Sequence, residues 1–260
     1  MYRLITIASI LLSLQLSGQT PAVNNTSFKP GEKLRFVASY YMSSLWTDIA
    51  GIDMDVTDVP GKSKPIDRII FTANTLTSWD NYVKVRHSYQ TWIEASSVKP
   101  MIMKQDSDVK GHTKQATYTF KHKSGYADIN VTSNDAPPIK KQIKFSKDTY
   151  DIVSLLYYIR NLDFANYKIG KTVPVSFLFL ENMLTVNVKY LGKETIKVDN
   201  YGPKSCYKVA LILNHDFVVK KDASTLYLTA DQNKVPILIT TVYKEGKAMV
   251  KLTKMEGLAH

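Results

Sequence analysis

The chain has 260 residues and a mass of 29.4 kDa, enough for one large domain or two small ones. Hydrophobic residues make up 44% of it and charged residues 22%, which excludes a disordered, collagen-like or coiled-coil chain. With 34 Lys and Arg against 23 Asp and Glu the net charge is +11, and the single Cys206 excludes an internal disulfide framework and a zinc site built on several thiolates.

Met1-Tyr2-Arg3 is a short basic start, residues 4–16 are an apolar run, and Ser17-Gly18 supplies the small residues that signal peptidase needs. This layout predicts a signal peptide over 1–18, cleaved near Gly18. A retained membrane anchor is the alternative, but about 20 apolar residues are needed to cross a bilayer and this run is shorter. No cysteine follows it, so lipid attachment there is chemically excluded. Residues 19–27 read as a disordered or extended lead-in, and 28–256 as a single β-rich domain. The expected product is exported and soluble, periplasmic or extracellular, with no transmembrane segment in the mature chain.

Within 28–256 apolar residues recur at every second position. Leu34, Phe36, Ala38 and Tyr40 alternate with Lys33, Arg35, Val37 and Ser39, and Ile52, Met54 and Val56 alternate with acids and Thr57. A weak helical turn is readable around 77–82. Residues 149–162 break the rule: Ile152, Leu155, Leu156, Ile159 and Leu162 stand at helical spacing, which predicts a buried α-helix there. Asp148 or Thr149 would cap it, with Asp151 in its first turn. Period two then resumes with Leu184, Val186, Val188 and Tyr190, and again with Ala248, Val250 and Leu252.

Turn residues such as Pro60-Gly61, Ser124-Gly125, Gly202-Pro203 and Glu245-Gly246 punctuate the chain at short intervals. One-sided alternation is how an antiparallel sheet reads, since parallel strands covered on both faces give unbroken apolar runs. The predicted fold is therefore mainly β: a large curved antiparallel sheet or half-open barrel of about a dozen strands, with one buried helix.

Several phrases carry a resemblance. They are Phe28-Lys29-Pro30-Gly31-Glu32-Lys33-Leu34, then Ala50-Gly51, then the stretch through Tyr89 and Trp92 to Lys99-Pro100. The helix phrase from Asp151 to Arg160 and the strand–turn phrase from Leu226 to Ile237 are the more specific pieces. Together, over about residues 27–256, the chain resembles the domain of unknown function 3108 family; Tyr227 stands where that family often has Trp. The resemblance implies an exported, β-rich fold and little more, since the family has no established catalytic residues to carry over. By analogy of fold the sheet is similar to the periplasmic lipoprotein carriers, whose half-open barrel holds acyl chains, although fold does not fix function.

No motif for catalysis is present. The histidines His87, His112, His122, His215 and His260 lack the paired spacing of a zinc site, and there is no G-x-S-x-G elbow, phosphate loop or dinucleotide fingerprint. Asp106, Asp108 and His112 read as a solvated hairpin end, and Cys206 as a small core residue. No catalytic residue, metal or cofactor is expected, and a hydrolase is the minor alternative. The aromatics are more informative. Trp46, Trp79, Tyr89, Trp92 and Tyr157 are candidates to line a cleft for an acyl chain or sugar, and Arg160 to face an anionic head or a buried carboxylate.

The basic surface favours an anionic lipid, lipoprotein or glycan of the envelope; export makes nucleic acid the least suitable partner. Two functions follow: a non-enzymatic binding module for a lipidic or amphipathic envelope molecule, or a structural and interaction protein with a packed interior. The interior decides between them, because a carrier needs a continuous apolar cavity of about 300 Å³ or more.

Overall fold

The computed structural model describes residues 20–42, 44–61, 64–145, 148–213, 224–242 and 246–260. The expected leader over 1–18 and His215 lie outside the described residues. Among the described residues alternation resolves into fifteen strands, against the dozen expected. The first eight form an antiparallel meander: β1 (Lys33–Met42), β2 (Leu45–Asp58), β3 (Ile66–Thr75), β4 (Val85–Glu94), β5 (Pro100–Val109), β6 (His112–Lys121), β7 (Tyr126–Ser133) and β8 (Ile139–Lys144).

The chain then crosses to β9 (Thr149–Asp151), which runs directly into α1 (Ile152–Arg160). A second meander follows, with β10 (Thr172–Phe179), β11 (Asn182–Val198), β12 (Gly202–Leu213), β13 (Ser224–Thr229), β14 (Pro236–Val242) and β15 (Lys247–Glu256). β15 pairs antiparallel with β1, so one open sheet runs from β8 through β1 and β15 to β9. One turn that the punctuation does not announce carries neither Gly nor Pro. Leu180 and Glu181 both adopt positive φ and split one apolar stretch into β10 and β11.

The helix starts later than its apolar spacing suggests. Thr149 to Asp151 pair in parallel with Ser176 to Leu178, which holds them extended. Asp151 is thus the N-cap and not a first-turn residue: its carboxylate accepts from the Val153 and Ser154 amides at 2.8 and 2.9 Å, and Ser154 Oγ accepts from the Asp151 amide. Thr91 Oγ1 on β4 donates to the other carboxylate oxygen at 2.5 Å. A fully buried carboxylate therefore ties α1 to the facing wall, and its burial raises its pKa. The weak helical turn near 77–82 is a single 3-10 turn, Thr77–Trp79.

Inward side chains of β1 to β4 (Leu34, Phe36, Met54, Val56, Ile69, Ile93) form one core under α1, together with Tyr157. Tyr150, Tyr158 and Phe164 join β10 to β13 in a second core, and Met103, Tyr118, Phe120 and Ile129 make a third. At the C-terminal end of α1, Arg160 meets both oxygens of Glu32 at 2.7 Å, with each side chain 0% exposed. Its remaining N–H groups donate to the carbonyls of Ser27 and Asn233 at 3.0 Å. Residues 20–27 lie along this end of the helix, where Tyr158 Oη donates to Pro21 O and Asn161 Oδ1 accepts from the Thr26 amide.

One inward residue is chemically out of place. Asp67 on β3 is 5% exposed and stands opposite Asp58 on β2. Burial, then the Asp58 charge, push its pKa from 3.8 up to about 6. A carboxyl whose pKa rises on folding adds stability that is full below the unfolded value and is lost as pH rises through about 6. Asp67→Asn is therefore expected to be more stable than the parent at pH 7.5, by about 1–3 kcal/mol, with the difference shrinking to nothing near pH 4. Urea denaturation at the two pH values measures this; an equal effect at both would show that the charge is not the cause.

Candidate ligand cleft

α1 crosses the concave face of the sheet without filling it. Between the helix and the inner side of β2 to β4 lies an apolar hollow of about 280 Å³, lined by Met54, Phe71, Ala73, His87, Tyr89, Ile152, Val153, Leu156 and Phe179. The geometry follows from strand parity. Ile52, Ala73 and His87 are paired across β2, β3 and β4, and so are Met54, Phe71 and Tyr89, so both rows face the helix.

A second, more polar depression of about 390 Å³ adjoins the first and shares His87, Tyr89 and Phe179 with it. Its other walls include Gln105, Ser107, His112 and Lys114 from the β5–β6 hairpin, Ser133 and Asp135 beyond β7, and Leu180 at the β10–β11 turn. The cleft thus runs from an apolar floor to a polar mouth at the rim where β1 turns into β2.

That rim is clasped on one side. Glu181 at the β10–β11 turn meets Lys114 on β6 at 3.2 Å and Lys141 on β8 at 3.0 Å. Burial raises the Glu181 pKa, but the two lysines outweigh it and hold the carboxyl below its ordinary value. On the floor, burial pushes the His87 imidazole down, so it is neutral at pH 7. Its Nδ1 has no partner among the described residues. Phe71 packs edge-on against Tyr89, with centroids 5.8 Å apart. The cleft therefore offers an apolar bed, a neutral imidazole and a lip where Lys114 and Lys141 share the carboxylate of Glu181. Among the described residues no group of three or more His, Cys, Asp or Glu is placed to hold a metal.

The residues singled out from sequence are dispersed over four places. Tyr89 lies in the cleft. Tyr157 and Arg160 are buried beneath the helix, where Arg160 faces the carboxylate of Glu32 and its guanidinium lies 5.0 Å from the Tyr157 ring centre. Trp92 points to the outer side of the sheet, where Lys104 sits 5.6 Å from its ring centre in a groove of about 540 Å³ with Ile66, Met101 and Ile102. Trp46 and Trp79 stand on the rim: Trp79 Nε1 donates to Asp48 O at 2.9 Å, and Trp46 packs edge-on against Tyr41.

His87, Leu156 and Phe179 are cleft residues that the motif search passed over. His87 shares its strand parity with Tyr89, Thr91 and Ile93, and that parity is the signal that places it inside. Asp106 and Asp108 do not gather around His112, whose ring meets Asp135 at 3.0 Å. Cys206 is buried, and burial pushes its thiol up to about 11.

The family model described as a protein of unknown function, DUF3108, matches residues 35–253. No curated protein matches the sequence. Among solved structures, a β-barrel-like protein of the domain of unknown function DUF1849 from Brucella abortus superposes with a TM-score of 0.58 at 9% identity, covering 92% of this chain and 99% of its own. A Bacteroides fragilis protein assigned as exported, with a YmcC-like fold, gives a TM-score of 0.36 at 9% identity, over 91% of this chain and 100% of its own. A Parabacteroides distasonis protein assigned as a lipoprotein gives 0.33 at 10% identity, over 91% and 100%. At 9% identity the likeness to the Brucella abortus protein concerns fold alone. Among the described residues no helix is long and apolar enough to cross a membrane.

Proposed function

The chain belongs to the DUF3108 family of proteins of unknown function, and we propose that it is an exported, non-enzymatic binding module that holds a lipidic or amphipathic envelope molecule in the cleft beside α1. The observation behind this reading is the pair of adjoining hollows, an apolar one of about 280 Å³ and one of about 390 Å³ with more polar groups in its wall, that share His87, Tyr89 and Phe179. A concave, mostly apolar cleft with a few polar groups at one end is the usual form of a small-molecule site. An acyl chain laid on Met54, Phe71 and Leu156 would place a polar or anionic head near Gln105, Ser107 and Lys114. Export is supported by the tripartite leader read from residues 1–18.

Native mass spectrometry after mild purification is expected to show a co-purifying lipid, and cis-parinaric acid should bind with a gain in fluorescence. Ala73→Phe fills the apolar end and is expected to lower the affinity for that probe about tenfold or more, with the circular dichroism of the sheet retained. A protein that carries no lipid and takes up no probe would instead be a scaffold with function on its surface.

A further inference from the structure

The rim above the cleft mouth holds a feature that ligand binding does not use. The β1–β2 hairpin runs past its neighbour, since pairing of β2 with β3 begins only at Ala50. The connection from β3 to β4 packs beside this overhang through Leu76 N–H to Ile49 O and Trp79 Nε1–H to Asp48 O, both 2.9 Å. The two segments together expose large apolar side chains: Leu45 is 71% exposed, Tyr82 70%, Trp46 44% and Val83 43%. Contiguous apolar surface of this kind is uncommon on a protein with no partner.

We propose that this rim docks on the surface of an anionic lipid bilayer, with the Leu45, Trp46, Trp79 and Tyr82 side chains entering the headgroup region. Three observations favour a bilayer over a protein partner. Trp and Tyr, with one apolar face and one polar edge, are the residues that settle at membrane interfaces. Here they sit on two neighbouring turns at one end of the sheet, which suits a planar partner. Lysines also flank the tips: Lys84 and Lys110 are exposed beside the β3–β4 connection, joined by a backbone bond from the Lys110 amide to Lys84 O, and Lys247 lies 5.8 Å from the Tyr41 ring centre. Basic side chains around an apolar tip are attracted to anionic headgroups.

Among the described residues the rim's acids are each held in place within the protein, and Asp80 is paired with a cation. Asp80 is held by Arg86 and Thr75, Asp48 by Ser39, Asp135 by His112, and Asp108 accepts from the Gly111 amide. Tyr82 and Val83 amides both donate to Trp79 O, so the tip is preformed. Docking in this pose turns the polar mouth of the cleft toward the membrane, but it does not depend on the cleft being occupied.

The test is co-sedimentation with vesicles of phosphatidylethanolamine and phosphatidylglycerol, against vesicles of phosphatidylcholine alone. The protein is expected to bind the anionic vesicles, and more weakly as salt rises. Leu45→Ser with Tyr82→Ser should weaken this about tenfold or more, and Lys84→Glu with Lys247→Glu should remove the preference for anionic lipid. Ile102→Ser on the outer face should change nothing. Because the chain has three tryptophans, Trp92→Phe leaves only Trp46 and Trp79 to report, and their emission should move to the blue on anionic vesicles. Equal vesicle binding by the L45S/Y82S protein, no blue shift, or self-association through the rim without vesicle binding would each overturn the proposal. Ala73→Phe should retain vesicle binding while losing cis-parinaric acid, so failure of the cleft reading and failure of the docking reading give different results.

Discussion

Arg160→Ala is expected to lower the stability of the fold by about 3–5 kcal/mol, seen as a fall of about 6–20 °C in melting temperature. The guanidinium holds both oxygens of Glu32 at 2.7 Å and the carbonyls of Ser27 and Asn233 at 3.0 Å, in a place where neither charged side chain touches water. Removing it leaves a carboxylate and two carbonyls buried without their charged donor, and that loss greatly exceeds the net worth of an intact pair. The pattern across variants separates this from simple loss of packing. Arg160→Lys keeps the charge but cannot reach both oxygens at once, so it should fall between the parent and Ala. Arg160→Met combined with Glu32→Leu removes both charges and should recover most of the loss. Because Arg160 is beneath the helix and not in the cleft, affinity for cis-parinaric acid in the folded fraction should stay at the parent value; a loss of affinity without a loss of stability would mean that Arg160 meets the ligand after all.

Gly257→Ala should destabilise the same end of the molecule by about 3 kcal/mol or more. Gly257 has a φ of +66°, a conformation that disfavours a Cβ by about 1–2 kcal/mol. Here the added carbon would also stand 2.0 Å from Gly31 O and 2.6 Å from its carbonyl carbon, so backbone and not a flexible side chain must give way. Gly31 directly precedes Glu32, so any shift is passed to the Arg160 pair. Beyond Gly257 the chain is tied down again, with the His260 amide donating to Asn233 Oδ1 and Asn233 Nδ2 to His260 O, both 2.9 Å. Urea denaturation of Gly257→Ala beside Gly61→Ala tests this. Gly61 also has positive φ, at +77°, but a Cβ added there would meet nothing within 4 Å, so the difference between the two variants isolates the clash. Equal losses would mean that strain in φ alone accounts for the effect.

Much of the fold was legible in the sequence because a half-buried strand must alternate, and it does so visibly at Leu34 and Phe36, Met54 and Val56, and Val186, Val188 and Tyr190. The helix was legible from its apolar stripe, but not its first residue. Thr149, Tyr150 and Asp151 are extended because Ser176 to Leu178 offer them a ladder, and no local pattern announces a partner that distant. The β10–β11 turn was hidden for another reason, since Leu180 and Glu181 take positive φ without Gly or Asn.

The cleft was less legible. Residue type alone gathered Trp46, Trp79, Tyr89 and Trp92 into one aromatic set, but Tyr89 and Trp92 are three apart on one strand and so face opposite sides of it. Trp46 and Trp79 lie where the sheet ends, a position that depends on how far β2 overhangs β3. Strand parity, applied before residue type, separates them and brings His87 in beside Tyr89.

The pairing of β1 with β15 has a consequence for how the molecule is made. Within the sheet the two meanders join along this seam, where Thr253 Oγ1 donates to Arg35 O across 218 positions of sequence. Each half is a run of neighbouring hairpins that can zip locally, whereas the seam must close one very long loop before it gains any contact. Assembly should therefore be slow and finish late, with the β1–β15 pairing acting as the keystone.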